Sequence, residues 1–153
     1  MQIRQLSVFL ENKPGRLSTV CEALANAGIN LVTLSLADTT QFGILRLIVE
    51  DWEKAKQVLE ECGYAARVTD VLALEVEDRP GGLAAILKVV EQAGISVEYM
   101  YAFAVKCQGD AILVFRFDQI DKAIAALNAA GINCIEPHQL FARYHAENKE
   151  LGE

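Results

Sequence analysis

The sequence has no C-x-x-C pair, no apolar run long enough to cross a membrane, and no cluster of lysines or arginines. Each absence removes a class of function. Phosphate-backbone recognition needs grouped positive charge, whereas here 14 Lys and Arg are scattered singly among 21 Asp and Glu, for a formal net charge of −7. Nucleic acid is therefore not an expected partner, and neither is an anionic membrane surface. A spanning helix needs roughly 18 or more apolar residues in a row, and no stretch approaches that. The opening Met1-Gln2-Ile3-Arg4-Gln5-Leu6 lacks a basic segment followed by an apolar one, so no secretion signal is expected and a cytoplasmic location is the default. The only histidines, His138 and His145, lie near the C-terminus without a cysteine pair beside them, so no metal site is expected. Neither histidine belongs to a nucleophile–base pattern, and no G-x-S-x-G, Walker A or G-x-G-x-x-G sequence occurs. The expectation is a protein without catalytic residues or cofactor. A local basic group could still hold a small carboxylate, because net charge sets the far field and not a pocket.

What is present is a duplication. The 153 residues are 52% hydrophobic, enough for a packed core. At an offset of 66, Asn12-Lys13-Pro14-Gly15-Arg16-Leu17 lies over Asp78-Arg79-Pro80-Gly81-Gly82-Leu83. Ala27-Gly28-Ile29-Asn30-Leu31 lies over Ala93-Gly94-Ile95-Ser96-Val97. After a two-residue insertion the offset becomes 68, and Trp52-Glu53-Lys54-Ala55 covers Ile120-Asp121-Lys122-Ala123. Matched glycines, matched apolar spacing and one small insertion do not coincide by chance.

Each copy has the same element order. Leu6, Val8 and Leu10, like Leu72, Leu74 and Val76, recur with the period of two that marks a strand. Pro-Gly follows, then Leu17, Val20, Leu24 and Ala27 at helical spacing, closed by Gly28 just past the helix end; Leu83, Ile86, Val90, Ala93 and Gly94 repeat this. Two strands joined by a hairpin come next, with turns at Asp38-Thr39-Thr40-Gln41 and Gln108-Gly109-Asp110. A second helix follows in each copy, with Asp51 and Asp118 as expected N-caps, and then a short strand. The fold class is α+β: two ferredoxin-like βαββαβ units in tandem, each an antiparallel sheet with its helices on one face. Residues 1–70 form the first unit, 71–144 the second, and 145–153 a polar tail. Gln139-Leu140-Phe141 echoes the start of a further copy, which allows an extra edge strand; an amphipathic end-helix is the alternative.

Strand parity assigns Val32, Leu34, Leu36, Leu45, Leu47 and Val49 beneath the helices, and Thr33, Ser35, Ala37, Ile44, Arg46 and Ile48 to the other face. In the second copy the aligned far-face positions are Tyr99, Tyr101 and Phe103. That aromatic stripe needs a cover. A homodimer or inter-domain contact is one reading, and a ligand stacked on the tyrosines is the other. Cys21, Cys62 and Cys134 align with Leu87, Ala130 and Ala66, so Cys21 and Cys62 are expected as core thiols. Cys107, at the hairpin, is the expected reactive one.

The strand ending Glu-Asn-Lys-Pro-Gly-Arg-Leu or Glu-Asp-Arg-Pro-Gly-Gly-Leu, with a helix ending Ala-Gly-Ile-Asn or Ala-Gly-Ile-Ser, resembles the ACT domain over nearly the whole chain as a tandem pair. The resemblance implies a regulatory module that binds an amino acid or related small carboxylate between paired domains and adjusts a partner enzyme. Carried over, ligand contact falls on Asn12, Gly15, Asn30 and Leu31, and on Asp78, Gly81, Ser96 and Val97, with Tyr99, Tyr101 and Phe103 as interface or stacking residues. The chemistry agrees, since a glycine opening a helix lets a ligand approach backbone N–H groups aided by the helix dipole. Asn30 and Ser96 are expected near the same edge as those loops. The same Pro-Gly pairs could instead serve only as turns, leaving a ligand-free dimerisation or interaction module. Ser96 departs from the asparagine usual there.

Overall fold

The computed structural model describes residues 1–38, 41–103 and 109–150; the side chains of Asp38 and Glu150, the hairpin residues Thr39 and Thr40, and Cys107 lie outside that set. By its contacts the chain divides into Arg4–Thr69 and a second unit of Asp70–Glu153 with Met1–Ile3.

In the first unit β1 (Ile3–Glu11) is followed by α1 (Arg16–Asn26), β2 (Thr33–Asp38), β3 (Phe42–Ile48) and α2 (Trp52–Glu61). β3 pairs antiparallel with β1, with Leu6 opposite Leu47, and with β2, with Leu34 opposite Leu47 on the other side. The chain returns beside β1, where Phe9 N donates to the Ala65 carbonyl at 3.2 Å. β4 (Ala66–Val76) then carries the chain into the second unit, followed by α3 (Gly82–Gln92), β5 (Val97–Ala102), β6 (Ala111–Phe117), α4 (Ile120–Ala129), β7 (Cys134–Ile135) and α5 (Pro137–Glu150). β6 pairs antiparallel with both β4 and β5, and β7 pairs with β4 only at Ala73 and Leu74. The order β7-β4-β6-β5 is that of the ferredoxin-like unit.

Period-two and helical patterns meet in two cores. In the first, Leu6, Val8, Leu10, Leu45 and Leu47 pack against Val20 and Leu24 of α1 and Ala55 and Leu59 of α2. In the second, Leu72, Leu74, Phe115 and Phe117 pack against Ile86 and Val90 of α3 and Ala123 and Leu127 of α4. Phe115 and Phe117 stack at 5.4 Å between ring centroids. The four helices end alike. Beyond α1, Ile29 N reaches the Leu24 carbonyl while Gly28 N reaches Ala25, and the same pair of bonds follows α2, α3 and α4 at Gly63, Gly94 and Gly131. All four glycines have positive φ, as the Schellman motif requires. Lys54 adds a 2.8 Å bond to the Ala27 carbonyl, placing positive charge at the end of α1.

Several expectations are corrected. Leu34 and Leu36 share a face with Leu47 and Leu45, as parity required, yet they are 47% and 48% exposed because β2 is paired on one side only, at the border of the helix layer. Asp51 caps α2, accepting from Lys54 N at 3.1 Å, but α4 is preceded by Gln119 with no side-chain cap. At the offset of 68 it is Gln119, not Asp118, that matches Asp51. The Asp118 carboxylate instead accepts from Ser96 N at 2.9 Å. Cys62 is exposed at the C-cap of α2, Cys21 is half-buried and Cys134 is buried. The segment echoing a further strand is the helix α5, the other alternative. Its Arg143 meets the carboxylate of Glu75, and its Leu140 and Tyr144 are buried. The face away from the helices is not bare: Val71, Ala73, Ile112 and Val114 are buried, as are Gln5, Ser7 and Thr33.

Candidate functional site

The two Pro-Gly loops have one backbone design. Gly15 precedes α1 at φ +85°, and Gly81 precedes α3 at φ +88°, both in the left-handed region that an L side chain resists. No side chain caps either helix, and neither first turn contains an acid. The first N–H of each helix turns back to the loop, Arg16 N to the Lys13 carbonyl at 3.3 Å and Gly82 N to the Arg79 carbonyl at 3.0 Å, while the following N–H groups and the positive end of the dipole have no side-chain cap or first-turn acid. The Gly15 carbonyl accepts from the hydroxyls of Ser18 and Thr19 at 3.0 and 2.7 Å. Asn12 is exposed and lines a shallow cleft with Lys13, Arg16, Leu17, Leu36 and Gly43. Asp78 is also exposed.

Asn30 and Leu31 do not join this group within their unit, and neither do Ser96 and Val97 join Gly81. Asn12 N donates to Gln41 at the hairpin end of the sheet, whereas β2 begins at the other end, where Val32 N donates to Ile48. Likewise Val76 lies opposite Ala111, while Ser96 exchanges bonds with Asp118 beyond the far end of β6. The expectation of a common edge fails because α1 separates the two groups: 11 residues rise about 16 Å. Asn30 is occupied locally, its side-chain oxygen accepting from Leu31 N at 3.0 Å, and Leu31 and Val97 pack at the margins of the two cores.

Tyr99 and Tyr101 lie opposite Arg116 and Val114, on the face away from the helices. They are half-buried, and Phe103 is 6% exposed. Arg116 is engaged by Glu98 at 3.1 Å and by the Asp70 carbonyl at 2.9 Å.

The sequence reading missed a cleft in the second unit. β7 is two residues long, so it leaves the edge of β4 uncovered from Glu75 onward. A cleft of about 410 Å³ opens there, between that edge, α3 and the turn after α4. Glu75 accepts from the Asn133 amide at 2.9 Å and pairs with Arg143. The Asn133 hydrogen bond holds its carboxyl below the usual carboxylate range, with Arg143 adding to this and burial opposing it. Glu77 pairs with Arg79 at the mouth, and Ile86, Val89 and Ile132 form the apolar wall. A signal existed in the repeat: Glu75 aligns with Phe9, and Gly82 with Arg16.

Comparison with known proteins places this architecture. No match was found among curated proteins. Of solved structures, protein BT0572 from Bacteroides thetaiotaomicron is 40% identical, over 92% of this chain and 96% of that one, with a TM-score of 0.85. The ligand-free regulatory subunit of aspartate kinase from Thermus thermophilus shares the fold at 19% identity, over 90% of this chain and 92% of that one, with a TM-score of 0.61. Aspartate kinase from Synechocystis shares it at 22% identity, over 89% of this chain but 28% of that one, with a TM-score of 0.55. Residues 1–142 match the family described as the ACT domain pair, and the chain belongs to that family.

Proposed function

We propose that this protein is a non-enzymatic regulator that binds an amino acid or similar small carboxylate at its Pro-Gly loops and adjusts a partner protein, such as an enzyme. The observation that carries the reading is the pair of uncapped helix starts opened by Gly15 and Gly81. A carboxylate there accepts from backbone N–H groups that no side chain of the protein uses as a cap. A regulatory subunit among the proteins of the same fold supports the same reading. Because Asn30 and Leu31 lie about a helix length from Gly15, one small molecule touches both groups only where a second unit contributes one of them, and we take that unit from a second copy of the chain. A homodimer is therefore part of the proposal, in a cytoplasmic setting.

The test is thermal unfolding against millimolar amino acids and 2-oxo acids, one at a time. A ligand at 100 times its dissociation constant stabilises the fold by about 2.7 kcal/mol, which raises the midpoint by roughly 5–10 °C for a chain of this size. Gly15→Val and Gly81→Val remove the shift at their respective loops and leave assembly intact. Full ligand affinity in both variants would show that the site is elsewhere.

A second reading rests on the edge strand. Leu34 and Leu36 of β2 are exposed, and a ligand-free module that docks another subunit over them also accounts for the fold. No thermal shift with any compound, together with a dimer that Leu36→Lys dissociates, favours that reading.

A further inference from the structure

The shallow cleft at the Gly15 loop offers two chemistries side by side. Arg16 N is taken by the Lys13 carbonyl, and Thr19 N opens the helical ladder at the Gly15 carbonyl at 3.0 Å. The N–H groups of Leu17 and Ser18 lie between them, and these are the ones a carboxylate can use. The side chain of Leu17 also lines the cleft, together with Leu10 and Leu36. Leu17 and Leu36 are exposed, at 37% and 48%. The cations of the rim are already engaged, since Glu11 holds Lys13 at 3.0 Å and Arg16 at 3.6 Å. Beyond its carboxylate, a ligand therefore meets apolar surface. The second loop differs at this wall: Ala102 stands where the first has Leu36, and Val76 where it has Leu10.

We propose that the first loop is specific for a carboxylate with a short branched aliphatic side chain, which lies against Leu17 and Leu36. The proposal rests on the carboxylate reading above and names the class of compound that this loop selects. The cleft volume of about 50 Å³, room for roughly four water molecules, suits an isopropyl group and falls short of a benzyl group. Each methylene buried there tightens binding about fourfold, so two of them separate a branched ligand from its shorter homologue by about tenfold or more. An amino acid and its 2-oxo acid share this chemistry, and the head group is left to the experiment.

The experiment titrates the full chain with valine and 3-methyl-2-oxobutanoate, each against its shorter homologue, alanine or pyruvate, with aspartate and phenylalanine as further controls. Backbone amide NMR shifts of residues 16–19 report the first loop. The branched member of at least one pair is expected to saturate them about tenfold or more below its homologue, and to bind more tightly than aspartate and phenylalanine. The pair that does so tells an amino acid from a 2-oxo acid. Leu36→Ala, which gives the first loop the residue of the second at an exposed position, should remove most of that preference. Gly15→Val should abolish the shifts with every compound. The proposal is overturned, with the carboxylate reading still standing, if a homologue or aspartate binds at residues 16–19 as tightly as the branched compound, or if Leu36→Ala keeps the ratio within the pair. Because the ratio decides, a variant that merely loosens a dimer and weakens both members of a pair alike counts against the proposal. If no compound shifts those residues, both readings fall.

Discussion

Gly15 and Gly82 sit one residue apart in the aligned loops, and substitution at each meets a different obstacle. A Cβ at Gly15 finds no atom within 4 Å, so Gly15→Ala is opposed by its left-handed backbone alone. The expected loss is about 1–2 kcal/mol, read from the midpoint of urea unfolding. A Cβ at Gly82 runs into the Glu77 carbonyl oxygen, which is backbone, so the main chain has to shift to admit it. Gly82→Ala is expected to lose about 2–3 kcal/mol by the same measurement, despite the better helix propensity of alanine. Glu75 sets a pH dependence. Its folded pKa is depressed, so in the acid range the unfolded chain binds more protons than the folded one. The stability it contributes is complete above the ordinary carboxylate pKa of about 4.3 and is lost as pH falls through the lower folded value. Asn133→Ala should flatten that acid limb in a series of denaturation curves, leaving the slope near neutral pH unchanged.

At the scale of elements, the helix ends divide into those closed locally and those left open. All four closing turns use the same glycine geometry, which the sequence displayed as matched glycines. The starts differ. Asp51→Ala should cost about 1 kcal/mol by removing the 3.1 Å bond to Lys54 N. Gln119→Asp should add on the order of 0.5–1 kcal/mol by giving α4 the cap it lacks, a gain visible in its calorimetric midpoint. The register of Asp118 was misread because the insertion between the offsets moves the comparison by two residues, and Asp118 is instead tied to the start of β5. Period-two parity placed Leu34 and Leu36 on the right face but said nothing about whether helices reach the sheet border, which is a property of strand order.

Across the whole molecule, the two βαββαβ units were legible because duplication doubles every weak local signal. What stayed hidden depended on distance through space. The separation of Asn30 from Gly15 follows from the path of α1 along the sheet, and the cleft follows from the brevity of β7. Thiol environments were hidden for a similar reason: Cys62 and its repeat partner Ala130 are both exposed, so alignment with a small residue did not signify burial. Burial pushes the Cys134 thiol above its usual pKa. In native protein at neutral pH an aromatic disulfide reagent should therefore modify Cys62 well before Cys134, which peptide mapping of partly labelled chains would reveal.

The approach of Glu77 to Gly82 makes the two copies unequal as donors of sequence. Grafting residues 77–83 into positions 11–17 brings glycine where arginine stood, a change the backbone accepts. Grafting residues 11–17 into positions 77–83 brings an arginine Cβ against the Glu77 carbonyl, so the backbone there has to shift. Exchange between the repeats is thus directional. The second loop's sequence fits the first, whereas the reverse transfer would need the strand end at Glu77 to be rebuilt as well.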